Sequence, residues 1–194
     1  MKLFMIRHGQ TTGNVAGLIY GQVDYPLTDL GRQQAVAIQP ILANHKFDRV
    51  YSSDLSRAIE TQEIALPGIK GIRTPLLREF DVGKLTNMTY AEAERLYAEE
   101  LENARENGYD WFGGESYDQI LSRMQQFLKI LEEDPCENVA VFSHNGMLGF
   151  MLQVVLGAKF SRTAIKSKNC AIQVFEYDGK QWKLLAWNYR MDIN

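Results

Sequence analysis

Short apolar segments alternate with longer segments of helical spacing along most of the chain, and this alternation is the feature that most constrains its fold. Three of the apolar segments, Leu3–Ile6, Phe47–Ser52 and Val139–Ser143, have the length of a buried strand. Strands that alternate with helices favour a parallel sheet, because two parallel neighbours need a crossover connection that is usually a helix.

The end of the chain has a different pattern. Two extended segments, Ala171–Tyr177 and Gln181–Ala186, flank Asp178-Gly179, a pair that suits a tight hairpin turn with positive φ. We therefore predict an α/β fold in three layers (α/β/α). It has a mainly parallel central sheet, helices on both faces and an antiparallel C-terminal hairpin at an edge.

Four polar residues are predicted to cap the first turns of helices. Thr28 precedes a helix whose apolar face runs from Ala35 to Leu42, and Asp54 precedes the next helix. Thr89 and Ser116 each have a Glu or Gln three residues later, which is the spacing of a capping box.

Length and composition limit the classes of protein to which the chain can belong. With 194 residues, 45% of them hydrophobic, residues 1–194 suit one domain with a sizeable core and at most a modest insertion. The 21 basic and 24 acidic residues give a net charge of −3, which lacks the basic surplus that nucleic-acid binding requires. No apolar run approaches the roughly 20 residues that span a membrane.

The cysteine and histidine content favours a cytoplasmic protein without a metal ion or cofactor. Cys136 and Cys170 lie far apart and form no CxxC pair, which indicates reduced thiols. The three histidines show no HxxxH spacing, and the chain has neither a DxD motif nor a Gly-rich nucleotide loop with Lys.

Polar residues follow each of the three predicted parallel strands. Arg7 and His8 come directly after the first strand, Arg57 lies shortly after the second, and His144 and Asn145 follow the third. Ligands bind beyond the carboxyl ends of such strands, so we expect these side chains to meet at one site. A protonated His144 would add a charged donor there.

These residue types suit phosphoryl transfer. The neutral imidazole of His8 can attack phosphorus and form a covalent intermediate. The guanidinium groups of Arg7 and Arg57 can stabilise the charge that spreads over the phosphate oxygens. The leaving alcohol needs a proton, for which Glu79 and Asp81 are both candidates.

Five blocks of sequence carry these residues in a recognisable order. They are Leu3–Thr11 with Asn14, Asp24–Thr28 with Gly31 and Gln34-Ala35, Val50–Ala58 with Thr61, Leu77–Glu79 with Gly83, and Phe142–His144 with Gly146. In these blocks, which span most of the chain, it resembles the phosphatase branch of the histidine phosphatase superfamily, also called phosphoglycerate mutase-like.

The resemblance implies roles for the matching residues. His8 would be the phosphorylated nucleophile, and Glu79 rather than Asp81 would be the proton donor. Arg7, Arg57 and His144 would share in catalysis as the phosphate pocket. The predicted substrate-binding residues are Arg7, Asn14, Gln22, Arg57, His144 and Asn145.

The chain departs from the family pattern at three places. Asn145 stands where many members have Gly, Leu148-Gly149 where many have Arg, and Lys84–Thr86 where many have an aromatic and acidic pair. None of these departures removes a catalytic group, but the last two border the implied pocket and bear on substrate choice.

The segment 83–116 is predicted to be a small cap over the pocket. Tyr109, Trp111 and Phe112 motivate this prediction, since they are aromatic residues in a polar stretch just before Gly113-Gly114. The alternative is that they cover the core.

The same segment bears on the reaction, because it is short and acidic. Cofactor-dependent mutases of the family typically have a longer, Lys/Arg-rich segment there, so we expect hydrolysis of a small phosphorylated metabolite through a phosphohistidine. A phosphoglycerate-type mutase is the alternative, followed by a phosphoprotein phosphatase and a non-catalytic phosphate-binding module. Nucleic acid and membranes are not expected as partners, and the edge of the terminal hairpin leaves a homodimer open.

Overall fold

A six-stranded mixed sheet forms the centre of the structure, a computed structural model that describes residues 1–134, 136–159, 165 and 167–189. Two short strands form a separate antiparallel pair. In chain order the strands are β1 (Lys2–Arg7), β2 (Leu18–Ile19), β3 (Arg49–Ser53), β4 (Ile72–Thr74), β5 (Met88–Thr89), β6 (Asn138–Ser143), β7 (Ile172–Tyr177) and β8 (Trp182–Tyr189).

The order of strands across the large sheet is β4-β3-β6-β1-β7-β8. The first four pair in parallel, whereas β7 runs antiparallel to β1 and β8 runs antiparallel to β7. Arg7 at the end of β1 lies opposite Ser143 at the end of β6, so the residues after both strands start from the same edge. The predicted mainly parallel sheet with a C-terminal hairpin at its edge is confirmed.

Helices cover both faces of the sheet, as the alternating burial of β1 shows. Leu3 and Met5 belong to the core on one face, and Phe4 and Ile6 belong to the core on the other. The helices are α1 (Thr12–Val15), α2 (Asp29–Ala37), α3 (Gln39–Leu42), α4 (Ser56–Ala65), α5 (Tyr90–Asn107), α6 (Tyr117–Glu133) and α7 (Asn145–Leu156). The first core packs against α6 and α7, and the second packs against α2, α3 and α4.

Three of the four predicted helix caps are confirmed. The hydroxyl of Thr28 accepts a hydrogen bond from the Gly31 amide at 3.0 Å and caps α2. Thr89 and Ser116 form capping boxes at the starts of α5 and α6. These caps satisfy amides that have no partner within the helix, so they fix where each helix begins.

Two predictions about helices were wrong. Asp54 does not cap α4, because its carboxylate binds Arg78 Nε and Nη2 instead, at 2.7 Å each. The helix expected to continue from Thr28 to Leu42 is broken at Ile38 into α2 and α3. Pro40 accounts for this break, since proline lacks an amide hydrogen and its ring clashes with the preceding turn.

The helix α5 bends within the segment 83–116. Tyr97 has non-helical backbone angles (φ −143°, ψ 40°) inside an otherwise helical run. The Tyr97 ring packs edge-on against Trp111 and Phe112, which lie in a short 3-10 turn after the helix. The bend therefore folds the two halves of α5 around a small aromatic cluster. None of the helices in the described ranges has the length and apolarity needed to cross a membrane.

Candidate active site

A cavity of about 810 Å³ opens beyond the carboxyl ends of β1, β3 and β6. One wall comes from the ends of the strands and the loops that follow them, and the opposite wall comes from α5 and the turn after it. The strand-end wall includes Arg7, His8, Arg57, Glu79 and Asn145, and the α5 wall includes Tyr90, Glu94, Arg105 and Tyr109. The chain thus brings most of the predicted site residues to one place.

His8 is buried at the floor of the cavity, with 3% of its surface exposed. Its Nδ1 lies 2.7 Å from the carbonyl oxygen of Gly9. A carbonyl oxygen can only accept, so Nδ1 carries the proton of the neutral ring and Nε2 keeps its lone pair. Burial, together with the positive charges of Arg57 and Arg7, holds the pKa of His8 well below its usual 6.5.

The loop around His8 is held by short contacts. The Gly9 amide donates to Thr61 Oγ1 at 3.0 Å, and that hydroxyl donates to the Arg57 carbonyl oxygen at 2.7 Å. A Cβ on Gly9 would clash with the Gly31 backbone, so glycine is required here. Asn169 Nδ2 donates to the His8 carbonyl oxygen at 3.0 Å. These contacts fix the imidazole in one orientation.

Arg57 is fully buried in the first turn of α4. Its Nη2 donates to the Gly21 carbonyl oxygen at 2.7 Å and its Nη1 donates to the Val23 carbonyl oxygen at 2.8 Å. Its guanidinium carbon lies 4.9 Å from the centre of the Tyr20 ring. Burial lowers the pKa of Arg57, and Tyr20 and a nearby Glu79 oppose that shift. The cation is therefore held rigidly at the edge of the cavity.

His144 is fully buried beside Arg57, but it does not line the cavity. Its Nδ1 accepts a hydrogen bond from Arg57 Nε at 3.2 Å, and its Nε2 lies 2.9 Å from Ser53 Oγ. Because arginine can only donate, Nδ1 is unprotonated and Nε2 carries the proton. Burial and the charge of Arg57 hold the pKa of His144 well below 6.5, so the ring is neutral in this structure rather than the charged donor that its sequence position allowed.

Arg7 ends β1 and is half-buried in the cavity wall. Its Nη1 donates to the Ser167 carbonyl oxygen, and burial lowers its pKa. Its Nε is buried and has no hydrogen-bond partner among the described residues. A buried donor without a partner is costly, and a ligand oxygen could satisfy it.

Glu79 lines the cavity, and both of its carboxylate oxygens accept hydrogen bonds from backbone amides. Its Oε2 accepts from the Gly146 amide at 3.0 Å and its Oε1 accepts from the Phe80 amide at 3.1 Å. Gly146 leaves room for the carboxylate, since a Cβ there would overlap Glu79 Oε1 and lie 2.7 Å from Phe80 Cε2. Asp81 is exposed, caps the Gly83 amide and does not line the cavity. Of the two candidates, the structure brings Glu79 to the site.

The loop that carries Glu79 is anchored from behind by α6. Arg123 forms a bidentate ion pair with Glu115, with Nε–Oε1 and Nη2–Oε2 distances of 2.7 and 2.9 Å. Its Nη1 donates to the carbonyl oxygens of Leu76 and Arg78 at 3.0 and 3.1 Å. The half-buried pair thus holds the backbone that leads into Glu79.

The remaining predicted site residues divide into two groups. Asn14 lines the cavity, and its Nδ2 donates to the Tyr20 hydroxyl at 3.0 Å. Asn145 also lines the cavity and accepts from the Ser167 amide at 3.2 Å. Gln22 lies outside the cavity lining, and its Oε1 accepts a hydrogen bond from Arg78 Nη1 at 3.4 Å. Its predicted role in substrate binding has no support from this position.

Sequence reasoning missed several residues of the site. Tyr20, Tyr90, Ser167 and Lys168 line the cavity, and Tyr20 supports both Asn14 and Arg57. They come from segments that lack a motif of their own. Tyr90 could have been suspected from its place at the start of α5, directly after the capping residue Thr89.

The aromatic residues of segment 83–116 have separate environments. Tyr109 lines the cavity, whereas Phe112 is buried in the core. Trp111 is half exposed, and its ring lies 3.9 Å from Lys84 Nζ on the outer side of the cluster. The cap interpretation therefore fits Tyr109, and the alternative of covering the core fits Phe112.

The chain is similar to known proteins in sequence and in fold. The sequence model of branch 1 of the histidine phosphatase superfamily matches residues 3–190. The chain is 32% identical to phosphoglycerate mutase-like protein 4 of Arabidopsis thaliana, over 96% of this chain and 84% of that protein. The alpha-ribazole phosphatase of Shigella flexneri superposes with a TM-score of 0.86 at 25% identity over the full length of both chains.

A mycobacterial glucosyl-3-phosphoglycerate phosphatase, solved in complex with VO3, superposes with a TM-score of 0.85 at 27% identity. That superposition covers 96% of this chain and 98% of the other. The relatives thus include proteins named as phosphatases and as phosphoglycerate mutases. Because the family model matches residues 3–190 of this chain, the chain belongs to branch 1 of the histidine phosphatase superfamily.

Proposed function

We propose that this chain is a phosphatase that hydrolyses a small-molecule phosphomonoester through a phosphohistidine on His8. The observation that carries the proposal is the tautomer of His8. Its Nδ1 proton is held by the Gly9 carbonyl oxygen, so the neutral ring presents the Nε2 lone pair at the floor of the cavity. A nucleophile needs that lone pair, and a ring with a low pKa keeps it at neutral pH.

The reaction has two steps. In the first, His8 Nε2 attacks phosphorus, the P–N bond forms, and the bond from phosphorus to the ester oxygen breaks while protonated Glu79 gives its proton to the leaving alcohol. In the second, water attacks the phosphohistidine, Glu79 takes a proton from that water, and inorganic phosphate leaves as the P–N bond breaks. The proton taken in the second step restores Glu79 for the next cycle.

The charge on the transferring group is met by arginine. Arg7 Nε needs an acceptor, and Arg57 lies at the same edge of the cavity. Guanidinium groups present donors that match phosphate oxygens. The proposed route uses these cations and requires no metal ion.

We also propose that segment 83–116 acts as a small cap on a single domain of residues 1–194. Support comes from α5, whose side chains Tyr90, Glu94 and Arg105 form the wall that faces the strand ends. A lid of this kind keeps bulk water away from the reacting groups and contacts the organic part of the substrate.

A phosphoglycerate mutase is the second candidate, favoured by the name of the Arabidopsis relative. A mutase must hold a phosphoenzyme away from water and bind a multiply charged substrate. On the α5 wall, the guanidinium of Arg105 is already paired with Glu94 and Glu102. That wall offers little free positive charge, which favours the phosphatase.

The test is hydrolysis of p-nitrophenyl phosphate in the presence of EDTA by the wild type, His8→Ala and a control, His45→Ala. His45 is the exposed histidine outside the site. We expect turnover by the wild type and the control, and a loss of roughly 10⁴-fold or more in His8→Ala. Activity in His8→Ala, or activity abolished by EDTA, would reject the proposal.

A further inference from the structure

The cavity is larger than a phosphate group needs, and its far wall is built by one bent helix. Glu94 and Arg105, eleven residues apart on α5, form an ion pair with an Oε1–Nη2 distance of 3.0 Å. A straight helix would separate their backbones by about 16 Å along its axis. The bend at Tyr97 brings the two halves of α5 together, so its inner face is concave and lines the cavity.

The inner face of α5 carries more negative than positive charge. Arg105 donates through Nη2 to Glu94 and through Nη1 to Glu102, the latter at 2.8 Å. Two carboxylates therefore share one guanidinium, and the group carries a net negative charge. Lys168 is the other cation that the described residues contribute to the lining beyond the catalytic arginines, and it is flanked by Ser167 and Asn169, which contact Arg7 and His8. It belongs to the phosphate end of the cavity.

Two polar groups on the inner face remain able to bind a ligand. Glu94 Oε2 has no hydrogen-bond partner within the described part of the chain, and its side chain is 59% exposed to the cavity and solvent. The Tyr90 hydroxyl likewise has none among the described residues, and burial of this hydroxyl, together with nearby Tyr109 and Glu79, raises its pKa. Tyr90 and Glu94 are one helical turn apart and thus lie on the same face.

We propose that Tyr90 and Glu94 form a second subsite, which binds the alcohol part of the substrate and selects phosphomonoesters whose alcohol part is rich in hydroxyl groups and carries no further negative charge. This inference rests on the proposed phosphatase function. A carboxylate only accepts hydrogen bonds, so Glu94 binds substrate hydroxyls and repels a second phosphate or a carboxylate. Arg105 acts as a positioning residue, since it fixes Glu94 without offering free charge.

The test compares kcat/KM for three esters. Ribose 5-phosphate has a neutral polyol, 3-phosphoglycerate adds a carboxylate, and p-nitrophenyl phosphate has no hydroxyl groups. The variant is Glu94→Gln, which keeps the size of the side chain and removes its charge. The matched control is Glu99→Gln on the exposed surface of the same helix, outside the cavity lining.

We expect the wild type to prefer ribose 5-phosphate over 3-phosphoglycerate. In Glu94→Gln, kcat/KM for ribose 5-phosphate should fall about tenfold, since an amide oxygen accepts a hydrogen bond more weakly than a carboxylate does. The value for 3-phosphoglycerate should rise severalfold, because the pairing of Arg105 weakens. The loss for p-nitrophenyl phosphate should be smaller than the loss for ribose 5-phosphate, because this ester has no hydroxyl groups, and Glu99→Gln should match the wild type on every ester.

Equal ratios of ribose 5-phosphate to 3-phosphoglycerate in Glu94→Gln and Glu99→Gln would overturn the subsite. A wild-type preference for 3-phosphoglycerate would also overturn it. Failure of the wild type to hydrolyse p-nitrophenyl phosphate is a separate result, because it would reject the phosphatase itself.

Discussion

The strand-end wall of the cavity and the α5 wall differ in how their side chains are held. On the strand-end wall, His8 and Arg57 are 3% and 0% exposed, and backbone carbonyls and the ring of His144 behind the wall fix them. On the opposite wall, Tyr90 is 55% exposed and the Glu94 side chain 59% exposed. Groups that react must be positioned before the substrate arrives, whereas groups that select an alcohol can adapt to it.

The contacts that support each wall from behind differ as well. The loop of Glu79 is anchored by the half-buried pair of Arg123 and Glu115, and by Ser143 Oγ, which donates to the Leu77 carbonyl oxygen at 2.8 Å. Behind α5, Lys84 stacks on the exposed ring of Trp111. We therefore expect substitutions at the strand ends to impair the chemical step, and substitutions on α5 to change substrate preference.

Glu79→Gln should have a larger effect on turnover than any substitution on the α5 wall. Loss of a positioned acid lowers kcat for an alkyl phosphate by roughly 10² to 10⁴-fold. In the first step alone, the loss for p-nitrophenyl phosphate should be much smaller, because p-nitrophenolate leaves without a proton. Pre-steady-state kinetics on both esters isolates this step, and equal losses in it would contradict the role of Glu79 as the acid.

Gly146→Ala should displace Glu79 without removing it. The added Cβ overlaps Glu79 Oε1, so the carboxylate must move away from the Gly146 amide. We expect kcat for an alkyl phosphate to fall by about 10 to 100-fold. In the double variant with Glu79→Gln, Gly146→Ala should add little further loss, because both changes act through one group. Additive losses would show that Gly146 acts elsewhere.

The buried histidines should make stability depend on pH. The folded state lowers the pKa of His8 and His144 below 6.5, chiefly through burial and then through Arg57. The unfolded chain therefore binds protons at a higher pH than the folded protein does. Above about pH 6.5 both rings are neutral in the folded and in the unfolded chain, so they cost no stability. Below that pH the unfolded chain takes up protons that the folded protein does not, and the free energy of unfolding falls.

The expected slope is on the order of 1 kcal/mol per pH unit for each histidine. Urea unfolding at about pH 5, 6 and 7.5 measures it, and His8→Asn should reduce the slope by about half. A midpoint that stays constant over this range would mean that neither ring is held neutral by burial.

Trp111→Ala should have the smallest effect, although its position in the sequence suggested a place over the pocket. Its ring contacts Lys84, Tyr97 and Phe112 on the outer side of α5 and does not line the cavity. Removing the exposed cation–π contact should cost about 0.5–1 kcal/mol of stability. We expect kcat/KM for p-nitrophenyl phosphate to stay within about twofold, and a tenfold loss would show that the aromatic cluster shapes the strand-end wall.

The difference between the two walls also explains what the sequence could predict. Arg7, His8 and His144 follow strands, and the topology of a parallel sheet brings such residues together. Helix caps at Thr28 and Thr89 depend on local spacing and were equally visible. These features are set by contacts near in sequence or by the sheet itself.

Features that depend on distant contacts were not predictable in the same way. The bidentate pairing of Asp54 with Arg78 removed it from a capping role. The bend of α5 at Tyr97 depends on its packing against a later turn, so neither the Glu94–Arg105 pair nor the position of Tyr90 could be deduced from periodicity.

The central claim is that His8 carries the phosphoryl group. The most direct measurement is a rapid alkaline quench of the wild type and His8→Ala during turnover of p-nitrophenyl phosphate, followed by peptide mass spectrometry. We expect phosphate on the wild-type peptide that contains His8, loss of that phosphate in acid, and none in His8→Ala. An acid-stable phosphate on another residue, or a phosphoenzyme in His8→Ala, would contradict the claim.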